Sequence, residues 1–72
     1  MASFPDRLRE LRNRKAVTQK AVAEYLMIRE TSYQQYEYGR RVPNQETTIK
    51  LADYFDVSLD YIVGRSDNWE RV

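Results

Sequence analysis

Residues 29–38 read Arg-Glu-Thr-Ser-Tyr-Gln-Gln-Tyr-Glu-Tyr, an unusual concentration of side chains that form directional hydrogen bonds. Wound as a helix, this run turns Arg29, Glu30, Thr31, Gln34, Gln35 and Tyr38 outward and Tyr33 and Tyr36 the other way. An ordinary surface helix would carry more Lys and Glu. The outward set suits the edges of base pairs: Gln35 can bond adenine bidentately, and Thr31 can touch a thymine methyl or bond a base edge. Gln34, their neighbour, is a further base-reading candidate. Glu30 is repulsive near phosphates, so it makes sense there in one of three ways: accepting from a cytosine amino group, pairing with Arg29, or excluding wrong sequences. The run stops at Gly39, and Arg40 and Arg41 follow.

Other chemistries are poorly served. The 72 residues contain neither cysteine nor histidine. That removes disulfides, thiolate or histidine zinc sites, Ser-His-Asp triads and Cys-His dyads. An enzyme would have to work with Asp, Glu, Lys or Tyr alone, and no paired carboxylates stand in a pocket-forming context. No enzyme activity, cofactor or metal is therefore expected. No apolar stretch has the length of a membrane span. Asp6 interrupts the N-terminal segment, so no secretory leader is expected. The cysteine-free composition fits a reducing compartment, and the cytoplasm is the expected location.

The net charge of +1 is unevenly spread. Residues 1–41 hold nine Lys or Arg against five Asp or Glu, a net of +4; residues 42–72 hold three against six, a net of −3. A polyanion would be drawn to the half that contains the hydrogen-bonding helix. The acidic third should stay away from it.

The elements that must position these residues are helical throughout. Phe4, Leu8 and Leu11 mark one face of a first helix, capped by Ser3 with Asp6 in a capping-box position. Its other face, Asp6, Arg7, Arg9, Glu10, Asn13 and Arg14, should be solvated. Thr18 caps a second helix through about Leu26, with Val22 and Leu26 as its apolar stripe. Met27 and Ile28 make the turn into the third helix, about 29–38, which Gly39 closes in the left-handed conformation. Asn44 after Pro43 starts a fourth helix with Ile49, Ala52 and Phe55 on one side and Leu51 beside them. Ser58 caps a short fifth helix that buries Leu59, Ile62 and Val63 and ends at Gly64. The division expected is a domain over residues 1–64 and a polar tail over 65–72, broken only by Trp69 and Val72. Tyr25, Tyr54 and Tyr61 are expected at the core or its rim.

The order of these pieces resembles the phage-repressor and Cro-like, or XRE-type, helix-turn-helix family. The likeness runs through Leu8-Arg9-Glu10-Leu11-Arg12, then Thr18-Gln19 with Ala23, then Glu37-x-Gly39 with Pro43, then Ala52 to Tyr61. It covers residues 4–64. The resemblance implies a compact all-α domain of five helices with the helix-turn-helix at the second and third. It also implies sequence-specific binding of double-stranded DNA, and usually transcriptional repression as a dimer on a palindromic operator. By resemblance, Glu30, Thr31 and Gln35 take the base-reading positions, and Gln19 binds phosphate and buttresses the recognition helix. Arg29, Ser32, Tyr38, Arg40, Arg41 and Asn44 are candidate contacts to the DNA backbone, which set register rather than sequence. Glu37 opposes the dipole of its helix and needs a cation. Arg12 matches the family's partner for it, and Arg40 or Arg41 is the alternative. Met27 stands in the turn where the family often has glycine. Tyr61, Ile62 and Trp69 are the expected dimer surface, with a fold of Trp69 onto its own domain as the alternative. A protein-docking module, or an antitoxin using the same fold, is the competing function.

Overall fold

A computed structural model describes residues 3–71; Met1, Ala2 and Val72, the ends of the division drawn above, lie outside it. The described residues form α1 (Phe4–Lys15), α2 (Gln19–Leu26), α3 (Glu30–Glu37), α4 (Gln45–Phe55) and α5 (Leu59–Ile62), with no strand among them. No helix among the described residues is long and apolar enough to cross a membrane.

Local chemistry starts four of these helices. Side-chain oxygens of Ser3, Thr18, Asn44 and Ser58 accept from the amides of Asp6, Ala21, Thr47 and Tyr61 at 2.8–3.3 Å. Each satisfies a backbone donor that has no partner inside its helix. The Asp6 carboxylate turns to Arg9 instead of back to Ser3, so the capping box is not reciprocal. α3 is the exception: Arg29 precedes it with extended backbone and no side-chain cap.

All five helices end the same way. A left-handed residue (Ala16, Met27, Gly39, Asp56 or Gly64, φ between 55° and 85°) folds the chain back. The amide after it then bonds a carbonyl five residues earlier: Val17 to Arg12, Ile28 to Ala23, Arg40 to Gln35, Val57 to Ala52 and Arg65 to Asp60, at 2.8–3.3 Å. This is the Schellman closure. After α1, α2 and α4 the returning residue is apolar, and Val17, Ile28 and Val57 pack into or against the core. After α3 and α5 it is an arginine that stays in solvent. At Gly39 an added Cβ would also meet Pro5 Cγ at 3.3 Å, which ties the end of α3 to the start of α1.

The core is Leu8, Leu11, Val22, Ala23, Leu26, Tyr33, Leu51, Ala52, Val57, Tyr61 and Ile62. Several sequence expectations are corrected by it. On α4, Leu51 and Ala52 point inward, Phe55 sits at the edge, and Ile49 is exposed. On α5 Leu59 is exposed, as is Val63 just after it, while Tyr61 and Ile62 are buried. Tyr61 and Ile62 are therefore not available as a dimer surface, and only Trp69 of that set, 56% exposed, remains on the outside. Arg7, expected in solvent, is only 4% exposed. It lies three residues from Phe4 and four from Leu11, at the edge of the apolar stripe. Its guanidinium stacks over the Tyr61 ring at 3.8 Å, a favourable cation–π arrangement, and Nη2 donates to Asp67 at 3.2 Å.

Asp67 belongs to residues 65–71, which lack helix but are held along their length. Ser58 N and Oγ donate to the carbonyls of Trp69 and Asn68 at 3.0 and 3.2 Å. Arg71 bonds Asp53 at 2.5 Å and lies 3.6 Å from Asp56.

Met27 carries the strain of φ 60° with its side chain 90% exposed, so nothing in packing offsets it. The left-handed penalty of about 1–2 kcal/mol exceeds the entropic cost of glycine, about 0.5–1 kcal/mol. Met27→Gly should raise stability by roughly 0.5–1 kcal/mol and Gly39→Ala should lower it by about 1–2 kcal/mol, as read from urea unfolding. A Met27→Gly variant less stable than the parent would contradict this account of the turn.

Candidate nucleic-acid interface

α3 divides into two stripes. Tyr33 and Glu37, one helical turn apart, are fully buried, and Tyr36 meets Tyr33 edge to face with ring centroids 6.4 Å apart. Glu30, Thr31 and Tyr38 are exposed, and Gln34, Gln35 and Ser32 are half-buried. The buried stripe fixes the helix against α1 and α2, and the other stripe is presented to solvent.

A buried carboxylate needs several donors, because each unmet lone pair and the charge itself are costly to desolvate. Glu37 has them. Arg12 Nε donates to Oε2 at 2.6 Å and Nη2 to Oε1 at 3.2 Å; Gln19 Nε2 donates to Oε1 at 3.1 Å, and the Tyr33 hydroxyl donates to Oε2. Burial alone would raise the Glu37 pKa, but hydrogen bonds from Arg12, Tyr33 and Gln19, with the charge of Arg12, outweigh it and hold the carboxyl below its ordinary range. Burial, then donation to this carboxylate, pushes the Tyr33 phenol up. The hydrogen bond to Glu37 raises Arg12 despite its partial desolvation. The dipole at the end of α3 is thus answered from α1. Arg40 and Arg41, the alternative partners, stay exposed, with the Arg40 guanidinium 5.8 Å from the Tyr38 ring.

The same network reaches the opening of α2 and the solvent side of α3. Gln19 uses its amide nitrogen on Glu37 and accepts at Oε1 from Gln34 Nε2 at 3.1 Å. Gln34 is therefore engaged inside the protein, whereas Thr31 and Gln35 form no side-chain hydrogen bond among the described residues. Asn44 commits Oδ1 to its cap. Sequence reasoning missed Arg9, placed on the solvated face: its Nη1 donates to the backbone carbonyl of Glu37. The available signal was its spacing of three from Arg12, which puts both guanidinia on one side of α1.

Exposed cations bracket α3: Arg29 just before it, Arg40 and Arg41 just after, and Lys20 at the start of α2. No group of acidic side chains that could hold a metal occurs among the described residues. A helix stably braced from beneath, polar on its outer stripe and cationic at its ends, is suited to a nucleic-acid groove.

Residues 8–62 match the family described as helix-turn-helix. The chain belongs to this family, the XRE-type helix-turn-helix domains. It is 37% identical over 65 residues to the uncharacterized HTH-type transcriptional regulator YqaE of Bacillus subtilis, an alignment covering 90% of this chain and 56% of YqaE. It is 41% identical over 54 residues to the cryptic phage CTXphi transcriptional repressor RstR of Vibrio cholerae, covering 72% and 48%. The chain spans about half the length of the curated relatives it matches. Its fold is that of the P22 c2 repressor protein solved in complex with a synthetic operator: the TM-score is 0.83 at 21% identity, with 92% of this chain and 100% of that one covered. In the helix-turn-helix of this chain, α2 and α3 are the paired helices and Met27 supplies the left-handed turn.

Glu37→Ala should destabilise the domain by about 3–5 kcal/mol, because it leaves Arg12 partly buried without its partner. The pH dependence follows from the lowered Glu37 pKa. Its contribution is complete above the unfolded carboxyl value, about 4.3, and is lost as pH falls through the lower folded value. Glu37→Gln should therefore flatten the acid limb of stability below about pH 4. An unchanged acid limb in that variant, measured by urea unfolding across pH, would refute the assignment.

Proposed function

We propose that this chain is a sequence-specific regulator of transcription, acting as a repressor, that lays α3 in the major groove of double-stranded DNA. The observation that carries the reading is the division of α3: an underside locked by Glu37 and an outer stripe on which the Thr31 and Gln35 side chains form no hydrogen bond among the described residues. Glu30, Thr31 and Gln35 read base edges. Gln34 stands beside them, and its bond to Gln19 couples that set to the start of α2. Gln19, Arg29, Ser32, Tyr38, Arg40, Arg41 and Asn44 hold the phosphates on either side, with the amides opening α2 as further donors. The names of the relatives, a transcriptional regulator and a phage repressor, support the regulatory role. The protein would act in the cytoplasm.

Eight residues of α3 span roughly 12 Å, enough to read only a few base pairs. A unique site calls for two copies on a palindromic operator, with half-sites about 34 Å apart. The pairing surface we assign is Ile49, Leu59 and Val63, exposed on α4 and just after Ser58, with Trp69 beyond them. Ile49 and Leu59 line one groove with Ala52, Val57 and Arg71. This replaces Tyr61 and Ile62, which the domain consumes in its own core. Leu59→Asp should abolish paired occupancy of a palindromic duplex while leaving single half-site binding, as read by sedimentation. Unchanged pairing would remove Leu59 from the surface.

Binding should weaken steeply with salt, with a log–log slope of about −0.9 per phosphate neutralised. Gln35→Ala should cost about 1–3 kcal/mol on the preferred site and relax preference at one position. Arg40→Ala should weaken all sequences alike and flatten the salt slope by about one. Fluorescence anisotropy on specific and random duplexes separates the two. No detectable binding at low salt with roughly 100 µM protein, the weak end of non-specific association, would defeat the proposal.

A further inference from the structure

On the basic half of the chain, residues 1–41, three of the five acidic side chains have a cationic partner. Asp6 pairs with Arg9, Glu10 with Arg14 and Glu37 with Arg12. Glu24, on α2, and Glu30 are without an ion pair among the described residues, and of these only Glu30 lies on α3. It is the first residue of that helix, exposed, next to Arg29 yet not paired with it. An unneutralised carboxylate on the stripe that meets a polyanion is unfavourable unless it finds a donor there.

The major groove offers few donors. An ionised carboxylate only accepts. Thymine O4 and guanine O6 and N7 are acceptors and repel it. Adenine places N7, another acceptor, beside its amino group; that pairing suits the amide of a glutamine, which can donate and accept at once. Cytosine presents its N4 amino group without such an acceptor on the same base. From the unpaired, outward carboxylate at the head of α3, we infer that Glu30 is a specificity-determining residue. It accepts a hydrogen bond from cytosine N4 and so requires a C·G pair at one position of each half-site. The inference rests on the reading of α3 as the recognition helix. It also gives Glu30 a second effect: the charge rejects the other three bases at that position, which an uncharged side chain would not do.

The competing explanation is internal. A carboxylate in the first turn of a helix complements the dipole, and Arg29 supplies no side-chain cap to α3. That role would change stability and leave sequence preference alone. The two are separated by selecting bound duplexes from a random library with the parent chain and with Glu30→Gln, alongside urea unfolding of both. The expected result is a parental motif with a cytosine that Glu30→Gln ceases to require. Adenine becomes acceptable at that one position, and every other position keeps its preference. On the parental site the variant should lose roughly 5- to 150-fold in affinity. Overturning results are a parental motif without such a cytosine, a variant that retains all of the parental preferences, or an equal loss on every sequence accompanied by lower stability. Each leaves the DNA-binding reading intact. A parent that selects no motif at all would overturn that reading and this inference together.

Discussion

The Glu37 carboxylate is the interaction on which the orientation of α3 depends. Arg12 and Gln19 come to it from two other helices, and Tyr33 reaches it from one turn earlier in its own. An apolar residue at this place would pack α3 against its neighbours but would leave its rotation and axial position loosely specified. A charge that demands donors from three directions specifies both. Arg9 adds a grip on the backbone of the same residue, so α1 holds side chain and carbonyl together. Because Arg12, Gln19 and Tyr33 share one carboxylate, their contributions cannot be summed from single substitutions.

The helix ends supply the complementary constraint. Short helices contribute little stability by themselves, and α5 has a single turn. Repeating the Schellman closure at every helix end satisfies carbonyls that would otherwise be unpaired, and it turns the chain sharply enough for five helices to fit in few residues. Where the residue after the turn is Val17, Ile28 or Val57, the closure also delivers an apolar side chain to the core. The turn thereby serves as connector and as part of the packing.

Much of this was legible in the sequence because it is local. Ser3, Thr18, Asn44 and Ser58 cap helices by bonds to amides three residues on, and Gly39 marks a backbone conformation that its residue type favours. The Arg12–Glu37 contact was reachable through the family pattern; the anomaly of a carboxylate at the wrong end of a dipole called for a cation without choosing between Arg12 and Arg40 or Arg41. What stayed hidden depends on how elements meet. A four-residue helix offers too few positions for periodicity to choose between Leu59 with Val63 and Tyr61 with Ile62. Arg7 is buried because Tyr61 and Asp67 converge on it from distant parts of the chain. Gln34 and Gln35 are the same residue type side by side, and only the proximity of α2 draws Gln34 to Gln19.

The separation of α3 into a buried and a free stripe bears on how such a domain can change its target over generations. Glu30, Thr31 and Gln35 take no part in the carboxylate network beneath them, so under the proposed role of α3 new operators are accessible through single substitutions at these positions that leave the fold intact. Position 34 is different. Its tie to Gln19 makes any exchange there alter a neighbouring helix as well, and divergence at that site should require paired changes. A cell or phage carrying several copies of such a domain could therefore insulate their regulatory circuits from one another quickly, along the few positions that the core leaves unclaimed.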